Sequence, residues 1–398
     1  MNIIEVQGLY KIFGKQPDKA LELLKKGYTK NQIMEKIGHT IAVDNVSFTV
    51  QPGESFVVMG LSGSGKSTLI RCLNRLIEPT SGSIVVDGKD VSSMSLNDLQ
   101  VFRREKISMV FQSFAVFPHK TVLENAAYGL KIRGLSATER GQKAKNALDL
   151  VGLKGWEESY PAQLSGGMQQ RVGLARALAT ESEILLMDEA FSALDPLIRK
   201  EMQDELLDLQ NKMNRTIVFI THDLDEALKL GDRIALMKDG SIVQVGTPEE
   251  ILMSPATNYV EKFVENVDRS RVLTAEMVMK KPNVVVRFPK DGPRVALHSM
   301  EEHGISSVFA VDKERRLQGI VMAEDALEAV ESKQKDLETI LRRDVHTVLP
   351  DTPLKDLFAL LTGKSTPLAV VSEERKLLGI IVRGSVMAKL AERGTVND

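Results

Sequence analysis

Residues Gly60 to Thr68 read Gly-Leu-Ser-Gly-Ser-Gly-Lys-Ser-Thr, between the apolar run Ser55 to Met59 and the helix-forming run Leu69 to Leu73. A strand that turns through glycines into a helix is a phosphate-binding loop, and it commits the surrounding chain to a buried, parallel-sheet α/β core. Gly60, Gly63 and Gly65 let backbone N–H groups turn inward around phosphate oxygens, with Ser62, Ser64 and Thr68 completing the cradle. Lys66 reaches the β- and γ-phosphates, and the hydroxyl of Ser67 can hold Mg²⁺. The chain is expected to bind a nucleoside triphosphate.

From Ile3 to about Val267 short β-rich runs alternate with amphipathic stretches, with strands expected near 55–59, 107–111, 183–187 and 216–220. A pair of short helices divided by Gly27 interrupts this rhythm over 18–38 and reads as a packing or docking appendage. Further on, Ser165-Gly166-Gly167 opens a helical run, so an N-cap serine and bare glycine amides form a second anion-binding surface. The strand Ile184 to Met187 then ends in two carboxylates. Asp188 is placed to hold Mg²⁺ through water, and Glu189 to polarise the water that attacks a γ-phosphate.

Composition narrows the setting. The 398 residues allow two to three domains, and a net charge of −2 offers no footprint for nucleic acid. Cys72 is the single cysteine, which excludes an internal disulfide and cysteine-based metal sites and suggests an inert thiol in a reducing compartment. The amino terminus carries no signal-peptide pattern, and no run of about 18 apolar residues is present. The protein is expected in the cytosol or held at a membrane by partners.

Together these motifs resemble the ATPase subunit of ATP-binding-cassette (ABC) transporters over about residues 3–250. The resemblance implies a mixed-sheet core with a helical subdomain at about 113–180. It makes Gln112 the glutamine that senses Mg²⁺ and the transmembrane partner, Asp195 part of the D-loop Ser192-Ala193-Leu194-Asp195, and His222 the switch histidine at the γ-phosphate. Phe13 matches the aromatic that stacks on adenine, with Tyr10 as its rival. Catalysis then falls to Glu189, His222, Lys66 and Gln112, and metal binding to Ser67, Gln112 and Asp188. Ser165, Gly166 and Gly167 of one subunit cover the ATP of the other, so a head-to-tail homodimer is implied. Met168 departs from the usual glutamine of the signature, which leaves the serine and glycine contacts in place.

After Asn266 the pattern changes, and Ser307 to Val321 repeats as Pro367 to Ile381, 60 residues apart. Val311/Val371, Glu314/Glu374, Arg315/Arg375, Leu317/Leu377, Gly319/Gly379 and Ile320/Ile380 are identical pairs. Each copy reads as strand, charged hairpin, strand and helix, and the two copies are expected to close one shared core. The repeat resembles a pair of cystathionine-β-synthase (CBS) motifs, giving domains at 1–266 and 267–398, the latter an α+β module with copies near 270–330 and 335–390. A cassette with this insertion and a CBS pair resembles the ATPase of glycine betaine/proline betaine importers. That resemblance implies separate permease subunits, a substrate-binding domain or protein, and a place at the cytoplasmic face of the membrane. A regulatory switch, or an importer ATPase for another small solute such as an amino acid, are the alternatives. Where nucleotide-binding CBS motifs have Thr and, three residues later, Asp, this chain has Met322 with Asp325 and Val382 with Ser385. Ionic strength at an anionic membrane or a cyclic dinucleotide are the candidate signals. Lys280, Lys281, Arg287, Lys290 and Arg294 form a candidate lipid or ligand patch, a solvated loop face being the plainer reading. The tail from Ala391 is expected to fray.

Overall fold

The computed structural model describes residues 2–112, 115–192, 194–265, 273–361 and 366–391. Ser113, Ala193, the stretch around Asn266 and the tail from 392 lie outside them. The chain divides into two compact units, residues 1–267 and 268–395.

In the first unit the strand Ser55–Met59 is buried at every position, so it can sit only inside a sheet covered on both faces. It is third in the order Ser241–Gly246, Arg233–Lys238, Ser55–Met59, Thr216–Thr221, Ile184–Asp188, Ile107–Val110. All neighbours run parallel except the Ser241–Gly246 edge. Met59 lies opposite Thr221, and Asp188 opposite Ile220. Gly60, Glu189 and His222 therefore leave the sheet at one edge, the carboxyl ends of three adjacent strands, where open α/β sheets bind ligands.

A second, antiparallel sheet is ordered Thr40–Val50, Ile4–Phe13, Ser81–Val86, Lys89–Asp90. The helix Lys66–Leu73 lies between the two sheets, burying Leu69, Ile70, Cys72 and Leu73 against Val6, Val43 and Val46 on one side and Val58, Leu186 and Ile220 on the other. Each large apolar side chain so buried contributes about 1.5–3 kcal/mol, which fixes the phosphate loop at the helix start. Helices Val122–Ala126, Tyr128–Ile132, Ala137–Leu150 and Gly166–Ala179 build a helical region. The 18–38 stretch holds helices Pro17–Lys25 and Lys30–Ile37, whose Ala20, Leu24, Ile33 and Ile37 pack on Ile12 and Ile41.

The second unit holds two three-stranded sheets, Val285–Arg287, Ser307–Val311, Leu317–Met322 and Thr347–Val348, Leu368–Val371, Leu377–Ile381. They share one core of Phe309, Val311, Leu317, Ile320, Ala369, Val371 and Leu377. The N–H of Leu317 donates to Arg375 O and that of Leu377 to Arg315 O, both at 2.9 Å, and Arg315 and Arg375 have φ of 63° and 62°. Lys280 pairs with Ile380 of the second copy, and Arg342, which leads into the second copy, pairs with Ile320 of the first. Each copy thus lends a strand edge to the other. The basic run is spread over a strand, a turn and the start of helix Pro293–His303 rather than one loop, with its five cations exposed. Among the described residues no helix is long and apolar enough to cross a membrane.

Candidate active site

The loop after Met59 is shaped by contacts only glycine permits. Gly65 has φ of 97°, and a Cβ there would stand 2.1 Å from the carbonyl of Ala42; one on Gly60 would stand 2.2 Å from that of Met237. Ser62 and Gly63 are exposed, whereas Ser64 is buried with its hydroxyl unpartnered. Lys66 is also buried, and its ammonium donates to Gly60 O at 2.7 Å and Leu61 O at 3.0 Å. Burial lowers its pKa, opposed by the charges of Glu189 and Asp188.

Ser67 Oγ donates to Asp188 Oδ1 at 2.8 Å, and Asp188 is fully buried. Its other oxygen accepts from Arg71 Nη2 at 3.1 Å. Arg71 belongs to no motif of the sequence. Its signal was the spacing of four from Ser67, which puts both on one helical face toward the same carboxylate. Ser67 and Asp188 are hard oxygen donors within reach of each other, with Gln112 nearby through Glu189. A small protein set that leaves positions for water and phosphate oxygens fits Mg²⁺.

Glu189 takes φ of 47° at the strand end, an uncommon conformation for a glutamate. Its Oε2 accepts from Gln112 Nε2 at 3.0 Å and lies 3.4 Å from His222 Nδ1. Gln112, Glu189 and His222 come from three neighbouring strands and meet at one oxygen. Behind His222, the buried carboxylate of Glu226 accepts from Thr221 Oγ1 at 2.6 Å and Gln203 Nε2 at 3.1 Å, a network invisible in the sequence because none of its spacings is regular.

The remaining candidates lie apart from this cluster. Ser165 caps helix Gly166–Ala179 by accepting from the Met168 N–H at 3.3 Å, and Ser165 and Gly166 are exposed. Asp195 caps Pro196–Met213 through Ile198 N–H at 3.1 Å and is also exposed. Leu194 would lie 3.5 Å from a Cβ on Gly167, so signature and D-loop are neighbours. Among the described residues no hydrogen bond joins Ser165, Gly166 or Gly167 to Lys66, Asp188, Glu189 or His222. Thr68 is half-buried in the first turn of its helix. Phe13 ends its strand 43% exposed, with Lys11 Nζ 5.0 Å from the ring centroid. Tyr10 is half-buried, and burial, then Asp44, raises its phenol pKa.

Comparison with known proteins gives the family. Residues 43–192 match the ABC transporter family, and 275–332 and 336–392 match the CBS domain family. The glycine betaine transport ATP-binding protein OpuAA of Bacillus subtilis (strain 168) is 58% identical over 98% of this chain and 92% of its own. GbuA, the glycine betaine/carnitine transport ATP-binding protein of Listeria monocytogenes serotype 1/2a (strain 10403S), is 57% identical over 98% of both. ProV of Escherichia coli (strain K12), the glycine betaine/proline betaine counterpart, is 48% identical over 99% of both. Among solved structures, the dimeric ATP-binding cassette MJ0796 in a post-hydrolysis state with ADP and Pi is 31% identical, with a TM-score of 0.54 over 62% of this chain and 98% of its own. Since the likeness runs through cassette and CBS pair alike, the chain belongs to the family of ABC transporter ATP-binding subunits with tandem CBS domains, and is an ABC-type ATPase.

Proposed function

We propose that the chain is the ATP-hydrolysing subunit that energises uptake of glycine betaine, or a related quaternary amine, across the cytoplasmic membrane under osmotic stress. The observation that carries this reading is the full-length likeness to transport ATP-binding proteins named for glycine betaine, CBS pair included. The subunit works as a homodimer with separate permease subunits and a substrate-binding domain or protein. A groove of about 370 Å³, walled by Met109, Phe111, Phe117, Tyr128 and Arg176, adjoins Gln112 and suits the permease.

In the reaction, Phe13 stacks on adenine, the more exposed of the two rings being free to do so. Lys66 exchanges its carbonyl partners for phosphate oxygens, a charge-assisted bond stronger than those it gives up. Ser67 and Asp188, with Gln112, hold Mg²⁺, which when bound neutralises charge on the β- and γ-phosphates. Glu189, oriented by Gln112, takes the proton of the attacking water. His222 donates to the γ-phosphate, and the exposed Ser165, Gly166 and Asp195, with half-buried Gly167, complete the site on a second copy. The CBS pair gates turnover in response to ionic strength at an anionic membrane or to a cyclic dinucleotide. An ordinary adenosine nucleotide is disfavoured because Asp325 is held by Arg342 in two bonds of 2.8 and 3.0 Å, while Ser385 Oγ donates to Val382 O.

Proteoliposomes holding this subunit and its permease should hydrolyse ATP faster when glycine betaine is supplied, and accumulate it. Stimulation by an amino acid instead would reassign the solute; turnover indifferent to every solute would make the chain a switch. Removing residues 269–398 should preserve uptake and abolish its osmotic threshold, and an unchanged threshold would place the sensor elsewhere.

A further inference from the structure

The two helices at Pro17–Lys25 and Lys30–Ile37 supply no group to the nucleotide chemistry, yet both ends of the nucleotide site are tied to them. Lys30 opens the second helix. Its ammonium pairs with Asp44 at 3.0 Å and donates to the backbone carbonyl of Asp239. Asp239 and Gly240 form the turn between strands Arg233–Lys238 and Ser241–Gly246. From that turn the Gly240 N–H donates to Ser64 O in the phosphate loop at 3.0 Å, and Gly240 O accepts from the Asp44 N–H at 2.8 Å. Asp44 is two residues from Ala42, the carbonyl against which Gly65 is pressed. One lysine therefore closes a ring around the back of the phosphate loop.

His39 does the equivalent at the other end. It is buried just after the second helix, with Nδ1 2.6 Å from Ile37 O, so this nitrogen carries the proton. Nε2 then accepts from the Gln16 N–H at 2.9 Å, joining the residue before the first helix to the segment after the second. The ring packs so closely on Gly14 that a Cβ there would lie 2.2 Å from its Cδ2, and Gly14 follows Phe13 directly.

From these contacts we infer that the insertion is a built-in strap for the nucleotide site, with Lys30 and His39 as positioning residues: Lys30 holds the phosphate loop through Asp239–Gly240, and His39 holds the adenine-stacking ring through Gly14. This rests on the nucleotide reading of Gly60–Thr68 and Phe13. The Lys30–Asp44 pair is partly exposed, and such pairs add little to folding, so its loss is read in the loop it orders rather than in unfolding.

The test measures binding of ATP and of tripolyphosphate by calorimetry on the full chain. Lys30→Met should weaken both by about threefold to fivefold, leave kcat at saturating ATP unchanged, and be rescued by Lys30→Arg. His39→Asn should weaken ATP while leaving tripolyphosphate unchanged, a split that general destabilisation would not produce. Wild-type affinity for both probes in Lys30→Met, or equal weakening of both in His39→Asn, overturns the strap. If Lys30→Met lowers the thermal midpoint, Asp44→Asn removes the same pair from the strand side and is read by the same criteria. Phe13→Ala is measured alongside: retained ATP affinity there refutes the stacking assignment and leaves the Lys30 arm standing on tripolyphosphate.

Discussion

Replacing Glu189 by glutamine tests the chemistry with the least disturbance of the site. Gln112 Nε2 reaches Glu189 Oε2 at 3.0 Å, and His222 Nδ1 lies 3.4 Å from the same oxygen. A glutamine of the same shape keeps one carbonyl oxygen to accept from Gln112, so the strand-end cluster persists. What it lacks is the ability to take a proton from water. General-base assistance is worth about 10²–10⁴ in rate, or roughly 2.7–5.5 kcal/mol of barrier, and kcat should fall by that factor. Binding should move the other way or not at all. Lys66, Ser67 and Asp188 make their hydrogen bonds without Glu189, and removing a negative charge beside the phosphates relieves repulsion. The assay pairs phosphate release at saturating Mg-ATP with calorimetric ATP binding. Wild-type turnover would remove Glu189 from the chemistry, and joint loss of turnover and binding would make it a structural residue. Gln112→Ala, which deletes both the orienting bond to Glu189 and one of the groups proposed to hold Mg²⁺, should cost at least about tenfold in kcat.

Other substitutions probe the scaffold. Gly65→Ala puts an L side chain at φ of 97° with its Cβ 2.1 Å from Ala42 O; left-handed strain alone is about 1–2 kcal/mol, so ATP affinity should fall by at least about fivefold, and normal calorimetric binding would contradict the loop geometry. Glu226 has its pKa raised from 4.5 by burial first and Asp223 second, against the lowering bond from Thr221. Its contribution to stability is therefore present below the unfolded value and is lost as pH rises through the higher folded value. Thermal midpoints of Glu226→Gln should gain on the wild type from about pH 5 to pH 8; a constant difference would count against this. Burial pushes the Cys72 thiol up to about 12, so a thiol reagent at about pH 8 should label the protein only after unfolding, and labelling of the native chain would refute the burial.

What the sequence reveals about the cassette is what depends on neighbours along the chain. Gly60 to Ser67 carry their meaning in spacing, because the loop's shape is set locally by φ and by the helix that follows. Asp188 and Glu189 are legible because an apolar strand ending in acids must present them at a sheet edge. The convergence of Gln112, Glu189 and His222 depends instead on strand order, since Ile107–Val110, Ile184–Asp188 and Thr216–Thr221 become adjacent only when the sheet forms. For the same reason the roles of Lys30, His39 and Glu226 have no periodic signature: each acts across elements far apart in sequence.

The repeat shows the same limit in a sharper form. Identity between Gly319 and Gly379 is visible in the sequence, but its cause is not. A Cβ on Gly319 would stand 2.7 Å from Arg342 O, and one on Gly379 would stand 2.4 Å from Met279 Sδ. Each glycine makes room for the segment that enters the opposite copy, Arg342 pairing at Ile320 and Lys280 pairing at Ile380. The short strands Val285–Arg287 and Thr347–Val348 escape a periodicity search because two or three residues carry no period. They are held instead by parallel pairing to Ser307–Val311 and Leu368–Val371, strands already fixed by the shared core. Displacing the segment at Lys280 would thus disturb the second copy's strand Leu377–Ile381, and displacing Arg342 the first copy's strand Leu317–Met322. The exchange of strand edges ties the two copies into one body, so neither sheet can shift without the other.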